Sequence, residues 1–131
     1  MGEFKTFRPE GVSDPYGSYV HGLEVPAGSR LLYMSGQIPV RPDGTVPEGM
    51  EAQASVCWQN IAGILASAGL TKDHLVRTTQ YLVDPKMYPE ANAARAKFLG
   101  DHRTASVSIA VPALIEPDWL IEIDAIAAGP T

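Results

Sequence analysis

Two periods organise the apolar positions of this chain. The closing segment from Leu120 to Ala127 alternates: Ile121, Ile123, Ala125 and Ala127 fall on one side of an extended chain, and Glu122, Asp124 and Ile126 on the other. That period of two predicts a strand with one buried face. From Gly49 to Ala68 the spacing changes, and Cys57, Ile61, Ile64, Leu65 and Ala68 line up as one helical stripe. Gly69 follows as a C-cap, because glycine tolerates the left-handed conformation that ends a helix. Leu75 to Val83 predicts a further strand ending at Asp84-Pro85, and Met87 to Leu99 a second helix that stops at Gly100. Thr104 to Val111 predicts another strand. Near the start, Gly17 to Val25 reads as a strand with Tyr19 and His21 on one face, joined through Pro26-Ala27-Gly28-Ser29 to a paired strand at Arg30 to Ser35. Phe4 to Phe7 adds a short N-terminal strand, and Pro42-Asp43-Gly44 a turn.

The order β-β-α-β-α-β-β predicts an α+β architecture, a mixed sheet of about six strands with both helices packed on one face. The other face then stays open, and its apolar residues call for a second copy of the chain. Glycine and proline cluster between well-patterned segments at Pro9 to Gly17, Pro39 to Gly49 and Pro112 to Pro117. They read as loops inside one domain spanning residues 1–131 rather than as linkers.

Composition narrows the function classes. With 45% hydrophobic and 19% charged residues the 131-residue chain is globular. A net charge of −5 and the lack of a basic run disfavour nucleic acid as a partner. No run of eighteen apolar residues and no leader-like N-terminus is seen, so neither a membrane nor export is expected and the location is expected to be cytoplasmic. A single cysteine, Cys57, excludes an internal disulfide. His21, His74, His102 and Cys57 have no metal-ligand spacing, so no metal is expected.

Candidate chemistry centres on Glu122, because an acid in an apolar strand is costly to bury unless it is paired or used. It reads either as a site acid or as a structural ion pair or subunit contact. Asp124 alternates with it and fits a hydrogen-bond acceptor at a subunit interface. Arg103 lies just upstream of a strand and reads either as an anion anchor or as a solvated loop arginine. Tyr19 is a cleft wall or an ordinary sheet aromatic, and His21 a proton relay or a surface strand residue. Ser35-Gly36 forms a turn able to hold an anion with backbone N–H groups, or else a strand-end bulge. Cys57, on the helical stripe, reads as core.

These residues also sit in recognisable motifs. Tyr19-Val20-His21-Gly22 and Leu32-Tyr33-Met34-Ser35-Gly36-Gln37-Ile38-Pro39 resemble the N-terminal hairpin of the RidA (YjgF) family. Glu51-Ala52-Gln53, Asn60-Ile61, Ala68-Gly69-Leu70, Val76-Arg77-Thr78-Thr79, Tyr81-Leu82-Val83-Asp84 and Asn92 followed by Phe98 continue the match in order. Ile121-Glu122-Ile123-Asp124-Ala125-Ile126-Ala127 closes it, so the resemblance runs from about Pro15 to Ala127. It implies a chorismate-mutase-like fold, a homotrimer with ligand clefts between subunits, no metal or organic cofactor, and hydrolysis of enamine or imine acids to 2-keto acids and ammonia. By position, Tyr19, Ser35, Gly36 and Asn92 would line the cleft, and Glu122 matches the family's water-positioning acid.

The chain departs from the family at one point. Active deaminases of the family carry a carboxylate-holding arginine after a Pro-Ala pair, at the start of the penultimate strand. Matching Arg103-Thr104 to that arginine forces an insertion before Leu114 and puts Ser106 and Ser108 where the family has core valines. Aligning back from Leu114 without a gap instead puts Val107, Ile109 and Val111 on the core face, and Ser106 takes the arginine's place. The register argument favours the second placement, since an odd slip flips every side chain. Ser106 is then a substrate-binding candidate, Arg103 sits three residues upstream at the cleft mouth, and the family's reactive-cysteine position falls on Ser108.

Two functions follow. One is hydrolytic deamination of a small enamine or imine. The other is a non-catalytic trimer of the same fold that binds a small molecule or a partner. A ribonuclease role, attached to some relatives of this kind, conflicts with the acidic composition.

Overall fold

The structure, a computed structural model, describes residues 4–131. Six strands and two helices follow one another: β1 (Lys5–Phe7), β2 (Gly22–Glu24), β3 (Arg30–Gln37), α1 (Met50–Ser67), β4 (Leu75–Leu82), α2 (Tyr88–Leu99), β5 (Ala105–Ala110) and β6 (Ile121–Gly129). This is the α+β arrangement of two helices and a mixed sheet expected from the patterning. The six strands divide, however, into a four-stranded sheet in the order β3-β6-β4-β5 and a separate two-stranded ribbon of β1 and β2.

Helix α1 forms where the apolar stripe predicts it. Ala54, Cys57, Trp58, Ile61 and Leu65 are all buried along one face. Its end is a Schellman-type cap: Gly69 takes φ 73°, its N–H donates to Ala66 O, and that of Leu70 donates to Leu65 O at 2.8 Å. Helix α2 buries Ala91, Ala94, Arg95 and Leu99, and it connects the parallel pair β4 and β5. Trp58 of α1 stacks on Phe98 of α2 with ring centroids 5.0 Å apart.

Strand β6 lies in the middle, antiparallel to both β3 and β4. Ile121, Ile123, Ala125 and Ala127 are essentially inaccessible and join both helices in one apolar cluster with Met34, Leu75 and Leu82. The loop before β6 is fastened by Gln53, whose amide donates to Pro47 O and Asp118 O while its oxygen accepts from Leu120 N–H. All of its polar capacity near the core is therefore used.

Two expectations are corrected. Gly17 to Val25 does not form a hairpin with Arg30 to Ser35. Only Gly22–Glu24 is strand, paired with β1, while β3 pairs with β6. The stretch ahead of Gly22 runs as a loop along the start of β5, held by Val20 N–H on Thr104 O at 3.1 Å and by Tyr16 N–H on the Tyr19 hydroxyl at 3.1 Å. Glycines at both ends of the Gly17–Gly22 stretch deprive it of the side-chain pairs that stabilise a hairpin.

The second correction concerns β5. Its residues alternate as expected, but with the faces exchanged. Ser106, Ser108 and Ala110 pair with Thr78, Gln80 and Leu82, which in turn pair with the buried face of β6. Val107 and Ile109 point the other way and are 38% and 47% exposed. The reason lies in what covers the strand: α2 presents a guanidinium that the Ser106 hydroxyl satisfies, and Gln80 donates to Ser108, where valines would accept neither. The gap-free alignment, which needed Val107 and Ile109 on the core face, is therefore overturned: with Ser106 and Ser108 at the inward positions, it is Arg103, and not Ser106, that takes the place of the family's arginine. With Leu31 and Tyr33 of β3, Val107 and Ile109 leave large apolar side chains exposed on the face away from the helices.

Candidate functional site

A cavity of about 430 Å³ opens between the Tyr16–Tyr19 loop, the start of α2 and the outer strand β5. Its walls include Tyr19, Tyr88, Leu82 and Ile109, and its polar floor is Arg95, Ser106 and Ser108. Tyr19 reaches it because the loop is tied to the β5 edge. Gly17 brings the backbone close to Tyr88 and Arg95, where a Cβ would stand 3.6 Å from the Tyr88 hydroxyl and 3.8 Å from Arg95 Nη2.

Arg95 is 3% exposed, on the face of α2 that packs inward with Ala91 and Ala94. Nη1 donates to Ser106 Oγ at 2.8 Å, and Nη2 donates to Asn92 Oδ1 one helical turn back. Behind Ser106 the polar strip continues. Thr78 lies within hydrogen-bond reach of Thr104 and Ser106, and Gln80 donates to Ser108 Oγ at 2.8 Å. Every one of these groups is neutral. The ion pairs among the described residues are Arg8–Asp14 and Lys72–Asp73, so none balances Arg95. A charge held out of water without a counter-ion costs several kcal/mol, only partly offset by neutral acceptors.

Glu122 lies elsewhere, on the side of β6 turned away from the helices. It faces the irregular end of β3, where the register shifts between Met34 and Gln37. A Cβ at Gly36 would collide with the Glu122 carboxylate, so glycine there is what lets the acid lie against the β3 backbone. Next along the strand, Asp124 accepts a hydrogen bond from the Tyr81 hydroxyl at 2.8 Å. That bond, with burial and the carboxylate charge behind it, raises the Tyr81 phenol pKa. Cys57 lies on α1 with its thiol against Ile121 O. Burial first, and the Glu122 charge second, push this thiol up to about 12.

Of the residues singled out in the sequence, Tyr19 and Ser106 line the cavity and Asn92 holds its guanidinium. Ser35, Gly36 and Glu122 lie apart from it, at the irregular end of β3. Arg103, expected at the cleft mouth, turns away: its Nη1 donates to Gly100 O and His102 O, capping the end of α2. Exposed carbonyls at a helix C-terminus attract a cation, which explains this placement. His21 contacts Ser13 O through Nε2 at 2.6 Å and stacks edge-on with Tyr19, a loop fastening rather than a relay position. Among the described residues no group of His, Cys, Asp and Glu converges as a metal site.

Sequence reading missed Arg95, Tyr88 and Ser108 as cavity residues. The signal for Arg95 was present: it stands at the inward spacing of Ala91, Ala94 and Leu99, where a charge is out of place.

A sheet of this order, two helices on one side and a polar cleft at its parallel edge define the class to which the chain belongs, the RidA (YjgF/YER057c/UK114) family. The family model described as endoribonuclease L-PSP matches residues 11–129. The chain is 36% identical over 113 residues to protein HMF1 of Saccharomyces cerevisiae, covering 85% of this chain and 84% of that one. It is 33% identical over 126 residues to the 2-iminobutanoate/2-iminopropanoate deaminase of Escherichia coli K12, covering 94% and 96%. Among solved structures it superposes on the Rid-family protein YyfB from Yersinia pestis with a TM-score of 0.83 at 28% identity, over 98% and 100% of the two chains. TdcF of E. coli with bound serine gives a TM-score of 0.73 at 29% identity, over 95% and 98%.

Proposed function

We propose that this protein hydrolyses a small imine or enamine acid, adding water across the C=N bond and releasing a carbonyl product and ammonia. The observation that carries the reading is Glu122, a half-buried acid laid against Gly36 at the irregular end of β3. Its counterpart position belongs to a family in which a 33% identical relative is named a deaminase of such acids. A protonated imine carbon is already electrophilic, so the site has to hold the substrate, place a water and shield both. Glu122 accepts a proton from that water and returns it toward the departing nitrogen.

The two groups of site residues belong to one cleft only if a second copy of the chain supplies one of them. Apolar Leu31, Tyr33, Val107 and Ile109 on the uncovered sheet face support such an assembly, a homotrimer. In it, Ser35, Gly36 and Glu122 of one subunit complete the cavity of Tyr19, Asn92 and Ser106 of the next. Arg103 stays outside it. A cytoplasmic location accords with an unpaired, buried cysteine.

The test is release of keto acid and ammonia from 2-iminobutanoate generated in situ, with wild type compared against Glu122→Gln. Acceleration over buffer that the variant loses supports the reading, and no acceleration sinks it. Arg103, which the observed faces of β5 put in the deaminase arginine's place, is tied to Gly100 O and His102 O, and this favours a second reading, a trimer that binds a small molecule without turnover. In that case ligand binds wild type and Glu122→Gln alike and no product forms.

A further inference from the structure

We propose that Arg95 is the anion-binding residue of this cavity, and that its occupant is a carboxylate bearing an apolar or aromatic side chain. The proposal deepens the imine-acid reading above and rests on it for the identity of the reacting group, but not for the binding itself.

Three observations converge. Arg95 is a buried cation whose acceptors, Ser106 and Asn92, are both neutral, so the folded protein keeps an uncompensated positive charge at the floor of an open cavity. A planar guanidinium takes a carboxylate through two parallel N–H bonds. Ser106, already bonded to Nη1, can turn its hydroxyl proton to the same anion. The walls above this floor are apolar and aromatic: Tyr19, Tyr88, Leu82 and Ile109. A volume of about 430 Å³ lies in the range of pockets that enclose small organic ligands. The helix thus provides a guanidinium from the α2 side of the cavity. Arg103, tied to the end of α2, is not available for the role.

The experiment is calorimetric titration of the full chain with 2-oxobutanoate, 2-oxo-3-phenylpropanoate and the neutral amide of the latter, at low and high salt, alongside thermal melts. Wild type is expected to bind both acids, the phenyl acid at least several-fold tighter, and to bind the amide at least tenfold weaker than its acid. Arg95→Met should lose measurable binding and melt no lower than wild type, since an uncompensated buried charge is removed. Asn92→Asp guards against misfolding of that variant. It sets a carboxylate against Nη2 as an internal counter-ion, so the melting temperature should rise while affinity for the acids falls at least tenfold. The proposal is overturned if wild type binds neither acid at millimolar concentration, or if Asn92→Asp or a folded Arg95→Met binds like wild type. Turnover is scored separately. Arg95-dependent binding without turnover removes only the catalytic reading, whereas Glu122-dependent turnover with Arg95-independent binding removes only this one.

Discussion

The cavity beside β5 and the acidic patch on the other side of β6 handle charge in opposite ways. On the helix-covered side a guanidinium is sealed among hydroxyls and amides with no carboxylate near it. On the uncovered side two carboxylates sit half-exposed, one hydrogen-bonded to Tyr81 and one laid over a glycine. Burial of the cation makes it useful only when an anion arrives. Partial exposure of the acids leaves them within reach of water. The proposed hydrolysis calls on both, an anion-seeking floor and an acid beside a water, and the sheet keeps the two apart within one chain.

The largest effect expected on that contrast is chemical. Glu122→Gln should cut turnover about 100-fold or more while leaving affinity for 2-oxo acids near the wild-type value. Equal losses in rate and affinity would merge the two patches into one binding surface. Gly36→Ala comes next: its methyl displaces the Glu122 carboxylate, a flexible group, so rate should drop about tenfold with little change in melting temperature. A control away from both patches is Gly129→Ala, at the end of β6, whose methyl would overlap the buried Leu70 side chain. Denaturant melts should show a stability loss of about 1–3 kcal/mol, with kcat unchanged in the folded fraction.

Smaller effects sharpen the open-face half. Tyr81→Phe removes the hydrogen bond to Asp124 and should cost about 1 kcal/mol in urea unfolding. The Cys57 thiol reports on the same region from behind. The unfolded chain releases this proton near pH 9, while the folded protein holds it to about 12. Between those values the native state binds more protons, so stability is full below the lower pH and falls as pH rises. The slope approaches about 1.4 kcal/mol per pH unit. Thiolate absorbance should accordingly emerge only far into the alkaline range, and Glu122→Gln should bring it in slightly earlier. An unshifted onset in that variant would remove the acid's charge from the neighbourhood of Cys57.

Both helices, the central strand β6 and the apolar stripe of α1 could be read from spacing, because helix and strand periods depend on which face meets the core. Glu122 was legible for the same reason, as an acid breaking an apolar alternation. Arg95 was equally exceptional within an inward stripe, but in a short alanine-rich helix one arginine looks like surface decoration until the packing direction is known. Tyr88 carried no local signal at all, and Ser108 stood out only by its place in the gap-free family alignment.

What the sequence determined by itself was the kind and order of elements, the loop-forming Gly-Pro clusters, and the family, since all three depend on local spacing or on motifs in series. Tertiary structure alone decided which face of β5 meets the helices, that the Tyr19 loop follows β5 rather than pairing with β3, and which arginine enters the cavity. The physical reason is common to the three. Alternation along a strand defines two faces without saying which is covered. A loop's partner depends on the edges left unpaired after the sheet forms. An arginine's role depends on the acceptors that folding brings within about 3 Å of its guanidinium, here Ser106 from a strand and Asn92 from its own helix.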